Sequence, residues 1–284
     1  MRLAILGCGY VGMAVAWYWH NLNRFVITTT RKPERVADLK TISSKVYLLS
    51  PHPDFSALVN QADTILVAVA PKHGDTYHST YIETTQKLNA ALLHAPAKRR
   101  VVYISSTSVY GECEGAKIEE TFVNPVATEH MQLLLASEAA VQQAAQWGHE
   151  ILTLRLGEII GPGREIAARI KRHMPKPFPG NGRNWTNIIH IEDIVQAIEF
   201  LQARHATGIY HLVNDLKISR KTLYEILCKK LDLPEPTWDA SLSSPHLGNK
   251  YISNAKLLDL GYTFIKPKAP LDERDHACLL PMPE

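Results

Sequence analysis

The chain has 284 residues, 45% of them hydrophobic, and 31 Lys plus Arg against 28 Asp plus Glu give a net charge of +3. That is enough apolar material for a sizeable core, and too little net charge to argue for nucleic acid or an anionic membrane as partner. No apolar run approaches the roughly 20 residues of a membrane span, and Cys8, Cys113, Cys228 and Cys278 form neither a C-x-x-C pair nor a disulfide framework, so reduced thiols in a cytoplasm are expected.

"RLAILG" (2–7) opens the chain as a strand. Gly7, Gly9 and Gly12 break its apolar run and Trp17-Tyr18-Trp19 follows, so a buried strand and a helix over 10–22 are expected in place of a leader. Further strands are predicted at "FVITTT" (25–30), "KVYLLS" (45–50), "TILVAVA" (64–70), "RVVYISS" (100–106), "ILTLRLGEII" (151–160) and "GIYHLVN" (208–214). Several are apolar throughout, as strands covered on both faces must be. Helix-length segments lie between them at 76–96, 125–147 and 191–204, and "SRKTLYEILCKKLDL" (219–233) reads as an amphipathic helix ended by Pro234 and Pro236. Asn124-Pro125 should start the 125–147 helix and Gly148 end it. "GPGREIAARIKRHMPKPFPGNGRN" (161–184) reads as a loop-rich excursion.

Alternation of this kind predicts an α/β fold, a doubly wound Rossmann-type parallel sheet. The expected division is a dinucleotide-binding domain over 1–160 with returning segments about 187–215, and a small C-terminal substrate lobe from 161–186 and 216–284.

"GCGYVG" (7–12) is G-x-G-x-x-G between the first strand and a helix. Gly7 would allow the tight turn, Gly9 the approach of a pyrophosphate, and Gly12 close helix–strand contact, with the anion at the helix N-terminus. The second strand ends in Thr28-Thr29-Thr30 and is followed by Arg31 and Lys32, where an NAD site would carry an acid. Cations and a hydroxyl there would pair a 2′-phosphate, so NADP is expected in preference to NAD.

With "YISSTSVYGE" (103–112) at the ligand edge of the fifth strand, the chain resembles the extended short-chain dehydrogenase/reductase family of the nucleotide-sugar epimerase/dehydratase type. "RLGEIIGPG" (155–163), "NIIHIEDIVQAI" (187–198) and "NAKLLDLGYTFIKP" (254–267) continue the resemblance in the family's order along nearly the whole chain. The resemblance implies a cofactor held by Gly7, Gly9, Tyr10, Val11 and Gly12, and by Thr30, Arg31 and Lys32. It also implies contacts from Ala68, Val69 and Ala70, from Ser105, and from Leu156 and Gly157. Ser106, three residues before the Val of Val-Tyr-Gly, takes the place of the hydroxyl that bonds the reacting oxygen.

The resemblance further implies a tyrosine base and a lysine four residues on, then a glutamate after four more. Glu138 fits the glutamate, which puts Leu134 at the lysine and His130 at the tyrosine, so the chain resembles an atypical member whose helix lacks the dyad. Three readings follow. In the first, His130 substitutes for the tyrosine as acid/base, since an imidazole titrates near neutrality and needs no lysine beside it. In the second, the acid/base comes from elsewhere near the cleft, from Tyr77, Tyr81, His73, His78 or Glu158. Or the protein binds NADP(H) without hydride transfer, as a sensor or scaffold.

The basic stretch 164–183, with Arg164, Arg169, Lys171, Arg172, Lys176 and Arg183 against Glu165, is either a diphosphate-holding surface or a solvated face. His190 and Asp193 are expected to be structural. No metal site is expected, lacking H-E-x-x-H and paired Cys/His spacing. The expected partner is a small-molecule substrate, a nucleotide-sugar or similar polyol, with no nucleic acid and no membrane. The family implies a homodimer through the 76–96 and 125–147 helices.

Overall fold

The computed structural model describes residues 1–50, 52–71, 76–124, 128–242 and 248–271. The first half alternates strand and helix: β1 (Arg2–Leu6), α1 (Tyr10–Asn21), β2 (Phe25–Thr30), α2 (Val36–Lys40), β3 (Lys45–Leu48), α3 (Ser56–Gln61), β4 (Thr64–Val67), α4 (Thr84–Leu93) and β5 (Arg100–Ser106). It continues through β6 (Lys117–Ile118), α5 (Glu129–Gln143), β7 (Glu150–Leu156), β8 (Glu158–Ile160), α6 (Ile166–His173), β9 (Phe178–Pro179) and β10 (Ile188–His190). The chain closes with α7 (Ile191–Ala203), β11 (Gly208–Leu212), α8 (Arg220–Lys230), β12 (Trp238–Asp239), β13 (Tyr251–Ile252) and α9 (Ala255–Asp259).

Seven of these strands form one parallel sheet in the order β11-β7-β5-β4-β1-β2-β3. Leu3, Ile5, Leu66, Val102 and Leu154 pack on one face with α1 and α7, whereas Ala4, Leu6, Ile65, Val67, Val101 and Tyr103 pack on the other with α3 and α4. Period-2 alternation with both faces apolar explains why β1, β4 and β5 are legible as continuous apolar runs. The strand order reverses between β1 and β4, which opens a crevice at the strands' C-terminal ends.

Four expectations need correction. The run 151–160 is two strands: Gly157 donates its N–H to Leu212 and marks the exit from the main sheet, after which β8 pairs with β10. The stretch 161–184 contains α6, whose Ile166 and Ile170 share one face by i, i+4 spacing and join Leu223, Tyr224 and Leu227 of α8 in a separate core. The 76–96 helix begins with a π turn, His78–Glu83, before α4. The helix expected from Asn124-Pro125 starts at Glu129 with Thr128 as its cap; residues 125–127 lie outside the described residues. The cap of α5 is Thr128, and the side-chain amide of Asn124 donates to the Tyr110 and Glu112 carbonyls. Gly148, left-handed at φ 83°, closes the short 3-10 turn that follows α5.

Candidate functional site

A cleft of about 850 Å³ lies over the C-terminal ends of β1, β2, β4 and β5, within the size range of small-molecule sites. Gly7 turns the chain out of β1 at φ +90°, and a Cβ there would stand 2.6 Å from the Ala68 carbonyl oxygen, so only glycine lets β1 and β4 deliver their ends side by side. A Cβ on Gly12 would collide with the Gly7 carbonyl oxygen, whereas the Cβ position of Gly9 meets nothing within 4 Å. The loop is thus tight against the protein and open toward the cleft. The first turn of α1 holds no acidic residue and its cap, Gly9, has no side chain to occupy the free N–H groups, an arrangement suited to an anion. On these grounds the residues fit a dinucleotide pyrophosphate.

Of the expected cofactor residues, Gly7, Gly9, Tyr10, Val11, Thr30, Arg31, Lys32, Ala68, Val69, Ala70, Ser105, Leu156 and Gly157 line the cleft. Gly12 does not; it lies beneath the loop, where its missing side chain lets helix and turn meet. Tyr10 donates to the Pro162 carbonyl at 3.0 Å and carries the Arg164 guanidinium 4.3 Å from its ring centroid. Arg35, passed over in the sequence, also lines the cleft and donates to the Cys8 carbonyl at 2.8 Å. Burial pushes the Cys8 thiol up to about 12, against the pull of the Arg35 cation, so it is held as the thiol at neutral pH.

Ser106 lines the cleft at the end of β5, where its oxygen accepts from the Ser108 amide at 3.1 Å. Its own proton makes no hydrogen bond among the described residues and is available to a ligand. Leu134 lines the cleft as well and is 2% exposed, packed with Val109 and Tyr110. An alkyl group occupies the position where the family resemblance leads one to look for an ammonium.

His130 is not on the cleft wall. Its ring stands edge-on to Tyr77 at 4.5 Å, and Tyr77 stacks on Tyr81 at 5.9 Å. Residues that the sequence offers as rival acid/base candidates therefore share one aromatic cluster. Among them Tyr81 reaches the cleft, and burial pushes its phenol up to about 12, which favours the neutral, proton-donating form. His78 is exposed beside Glu83 at 3.8 Å, Glu158 is engaged by Arg169, and His73 lies outside the described residues. α5 holds neither Tyr nor Lys, and the Tyr-x-x-x-Lys spacing in the chain falls at Tyr262 and Lys266 instead. That Tyr262 is buried and donates to Asp193, far along the chain from the cleft helices.

Behind the cleft runs a buried polar chain. Ser105 donates to Glu138 at 2.5 Å, and Arg155 grips the Glu138 carboxylate with two bonds of 2.6 and 3.0 Å. Arg155 also donates to the Tyr110 hydroxyl at 2.5 Å, which meets His211 Nε2 at 2.5 Å. The basic stretch 164–183 is divided: Arg164 reaches the cleft, Arg169 is paired, and Arg183 borders a second, smaller pocket with Asn181, Asn184 and Asn249. His190 and Asp193 are buried, with Asp193 holding the backbone of Ile265 and Lys266. Among the described residues no group of three or more His, Cys, Asp or Glu is placed to hold a metal, and no helix is long and apolar enough to cross a membrane.

The geometry has close counterparts among known proteins. UDP-glucuronic acid 4-epimerase from Bacillus cereus, solved with UDP-glucuronic acid and NAD, superposes with a TM-score of 0.76 at 19% identity over 93% of this chain and 94% of that one. A functionally unknown conserved protein from Silicibacter pomeroyi DSS gives a TM-score of 0.75 at 21% identity over 94% of each chain. At such identities the likeness is one of fold. In sequence, the chain is 28% identical to Protein YeeZ of Escherichia coli (strain K12) over 288 residues, spanning 94% of this chain and 96% of that protein. The profile of the NAD dependent epimerase/dehydratase family matches residues 3–214, most of the chain. The loop, the sheet order and this match agree, and the protein belongs to the NAD dependent epimerase/dehydratase family.

Proposed function

We propose that the protein binds NADP(H) in this cleft and carries out oxidoreductase or epimerase-like chemistry on a nucleotide-linked sugar or a similar small polyol or carbonyl compound. The observation that carries the reading is the placement of the Ser106 hydroxyl on the wall of the same cleft as the glycine loop. When bound, the nicotinamide would supply the hydride donor or acceptor. Ser106 would donate its proton toward the reacting oxygen, and the apolar side chains of Leu134 and Leu156 would keep water from it. Arg164, the one residue of the basic stretch on the cleft wall, is the cation offered to a substrate diphosphate. The ligands named for the Bacillus cereus epimerase support the substrate class, and Arg31 and Lys32 support NADP over NAD.

The test is NADPH oxidation across a panel of nucleotide sugars and carbonyl compounds. Turnover that Ser106→Ala abolishes supports the enzyme reading, and an unchanged rate in His130→Ala removes His130 from the chemistry. A second reading, a cofactor-binding sensor or scaffold without turnover, is favoured by Leu134, because an alkyl group cannot lower the pKa of a neighbouring phenol or hold a ribose hydroxyl. Tight NADP binding with no turnover on any panel member would select it. A cytoplasmic homodimer joined through α4 and α5 belongs to the same proposal, and sedimentation at micromolar concentration should give twice the chain mass.

A further inference from the structure

We infer that Arg35, and not Lys32, is the side chain that reads a phosphate on the 2′-hydroxyl of the cofactor's adenosine ribose. The inference rests on the NADP reading proposed above and names the residue that would decide it. β2 ends at Thr30, whose hydroxyl oxygen accepts from the Lys32 amide at 3.1 Å and so turns the chain sharply. Pro33 opens a single 3-10 turn, Pro33–Arg35, closed by the Arg35 amide on the Lys32 carbonyl at 3.1 Å. That turn brings the Arg35 side chain back over the glycine loop, where Nη1 donates to the carbonyl of Cys8 at 2.8 Å.

A guanidinium has five N–H donors in a rigid fork. One is committed to Cys8, and the others make no hydrogen bond among the described residues. The Cys8 carbonyl therefore anchors the fork before any ligand arrives, on a cleft wall that Thr30 and Arg31 also line. A planar fork held along one edge is suited to bidentate contact with a phosphate, at a low further entropy cost.

Lys32 is placed differently. Its ammonium lies 3.6 Å from the Glu34 carboxylate, and the two side chains are 58% and 66% exposed, so its charge is partly neutralised and screened by water. Nothing on the wall opposes an anion at Arg35: among the described residues the only acid lining the cleft is Glu83, which lies 3.9 Å from Lys87.

The experiment is titration of the full-length protein with NADP⁺ and, separately, NAD⁺, for wild type, Arg35→Gln, Arg35→Lys and Lys32→Ala. The Gln side chain ends where Nε of Arg35 stands, short of the Cys8 carbonyl, so Arg35→Gln removes charge, fork and strut together, and the NAD⁺ titration reads how much of any loss the strut alone accounts for. Arg35→Gln is expected to weaken NADP⁺ roughly 10- to 100-fold and to leave NAD⁺ within about twofold, with Arg35→Lys in between and Lys32→Ala within about threefold. Equal weakening of both cofactors by Arg35→Gln would make Arg35 a structural strut, and a larger NADP⁺ loss in Lys32→Ala would transfer the role to Lys32. Either result overturns the inference while a wild-type preference for NADP⁺ keeps the proposed function standing. A wild type that binds both cofactors equally, or neither, removes the NADP reading and this inference with it.

Discussion

His211 sits at the inner end of the polar chain behind the cleft, fully buried, with Nδ1 2.7 Å from the Ser253 carbonyl and Nε2 2.5 Å from the Tyr110 hydroxyl. A carbonyl only accepts, so Nδ1 carries the proton; Nε2 then accepts from Tyr110, whose oxygen accepts from Arg155. Burial holds the imidazole below its ordinary value, helped by the Arg155 and Lys217 cations and opposed by Glu120. A folded value below the unfolded one, near 6.5, means that the unfolded chain binds more protons at low pH. The contribution of His211 is complete above about pH 6.5 and is lost as pH falls through the lowered value. Asp193, pushed up to about 6 by burial, acts in the opposite sense and loses its contribution as pH rises through that value. Urea titrations of wild type and His211→Gln at pH 7.5 and 5.5, round-number choices of about one unit either side of 6.5, isolate the His211 part: wild type should lose more stability on acidification than the variant. An identical loss in both would show that folding does not shift the His211 titration.

At the scale of the element, α5 shows how little of a helix end is visible in sequence. Its buried positions, Met131, Leu134, Glu138 and Val141, follow the i, i+3, i+7 pattern that makes the helix predictable. Asn124-Pro125 has the local chemistry of a helix start, yet α5 begins four residues later, while the Asn124 amide donates to the carbonyls of Tyr110 and Glu112, 12 to 14 residues away. Thr128 caps instead, accepting from the Met131 amide. Thr128→Ala should therefore cost about 1 kcal/mol in chemical denaturation, and Asn124→Ala should leave the helix content measured by circular dichroism unchanged. The same logic explains α6: its two buried isoleucines are too few to stand out among Gly, Pro and basic residues, and the helix is stabilised by α8, which a local reading does not see.

For the whole molecule, the tie between α7 and the end of the described chain is the long-range contact most open to test. Asp193 accepts from the backbone of Ile265 at 2.7 Å and Lys266 at 3.1 Å, and from Tyr262 at 3.2 Å, across about 70 residues of sequence. Asp193→Ala leaves these buried donors without their acceptor and should cost about 2–4 kcal/mol. The checks are a lowered melting temperature and faster proteolysis near 262–271. On the NADP reading proposed above, saturating NADP at about 100 times its dissociation constant should return about 2.7 kcal/mol to wild type, and the same increment to Asp193→Ala, because the tie lies away from the cleft.

The sequence by itself determined the α/β class, most of the parallel sheet strands, the glycine loop, and the absence of Tyr and Lys from α5, because each depends on residues within a few positions of one another. It was silent on the sheet order, on the break at Gly157, on the cluster of Tyr77, Tyr81 and His130, and on the return of Arg35 to the Cys8 carbonyl. Those are decided by segments far apart in the chain, brought together by the burial of apolar faces, and no local spacing encodes them.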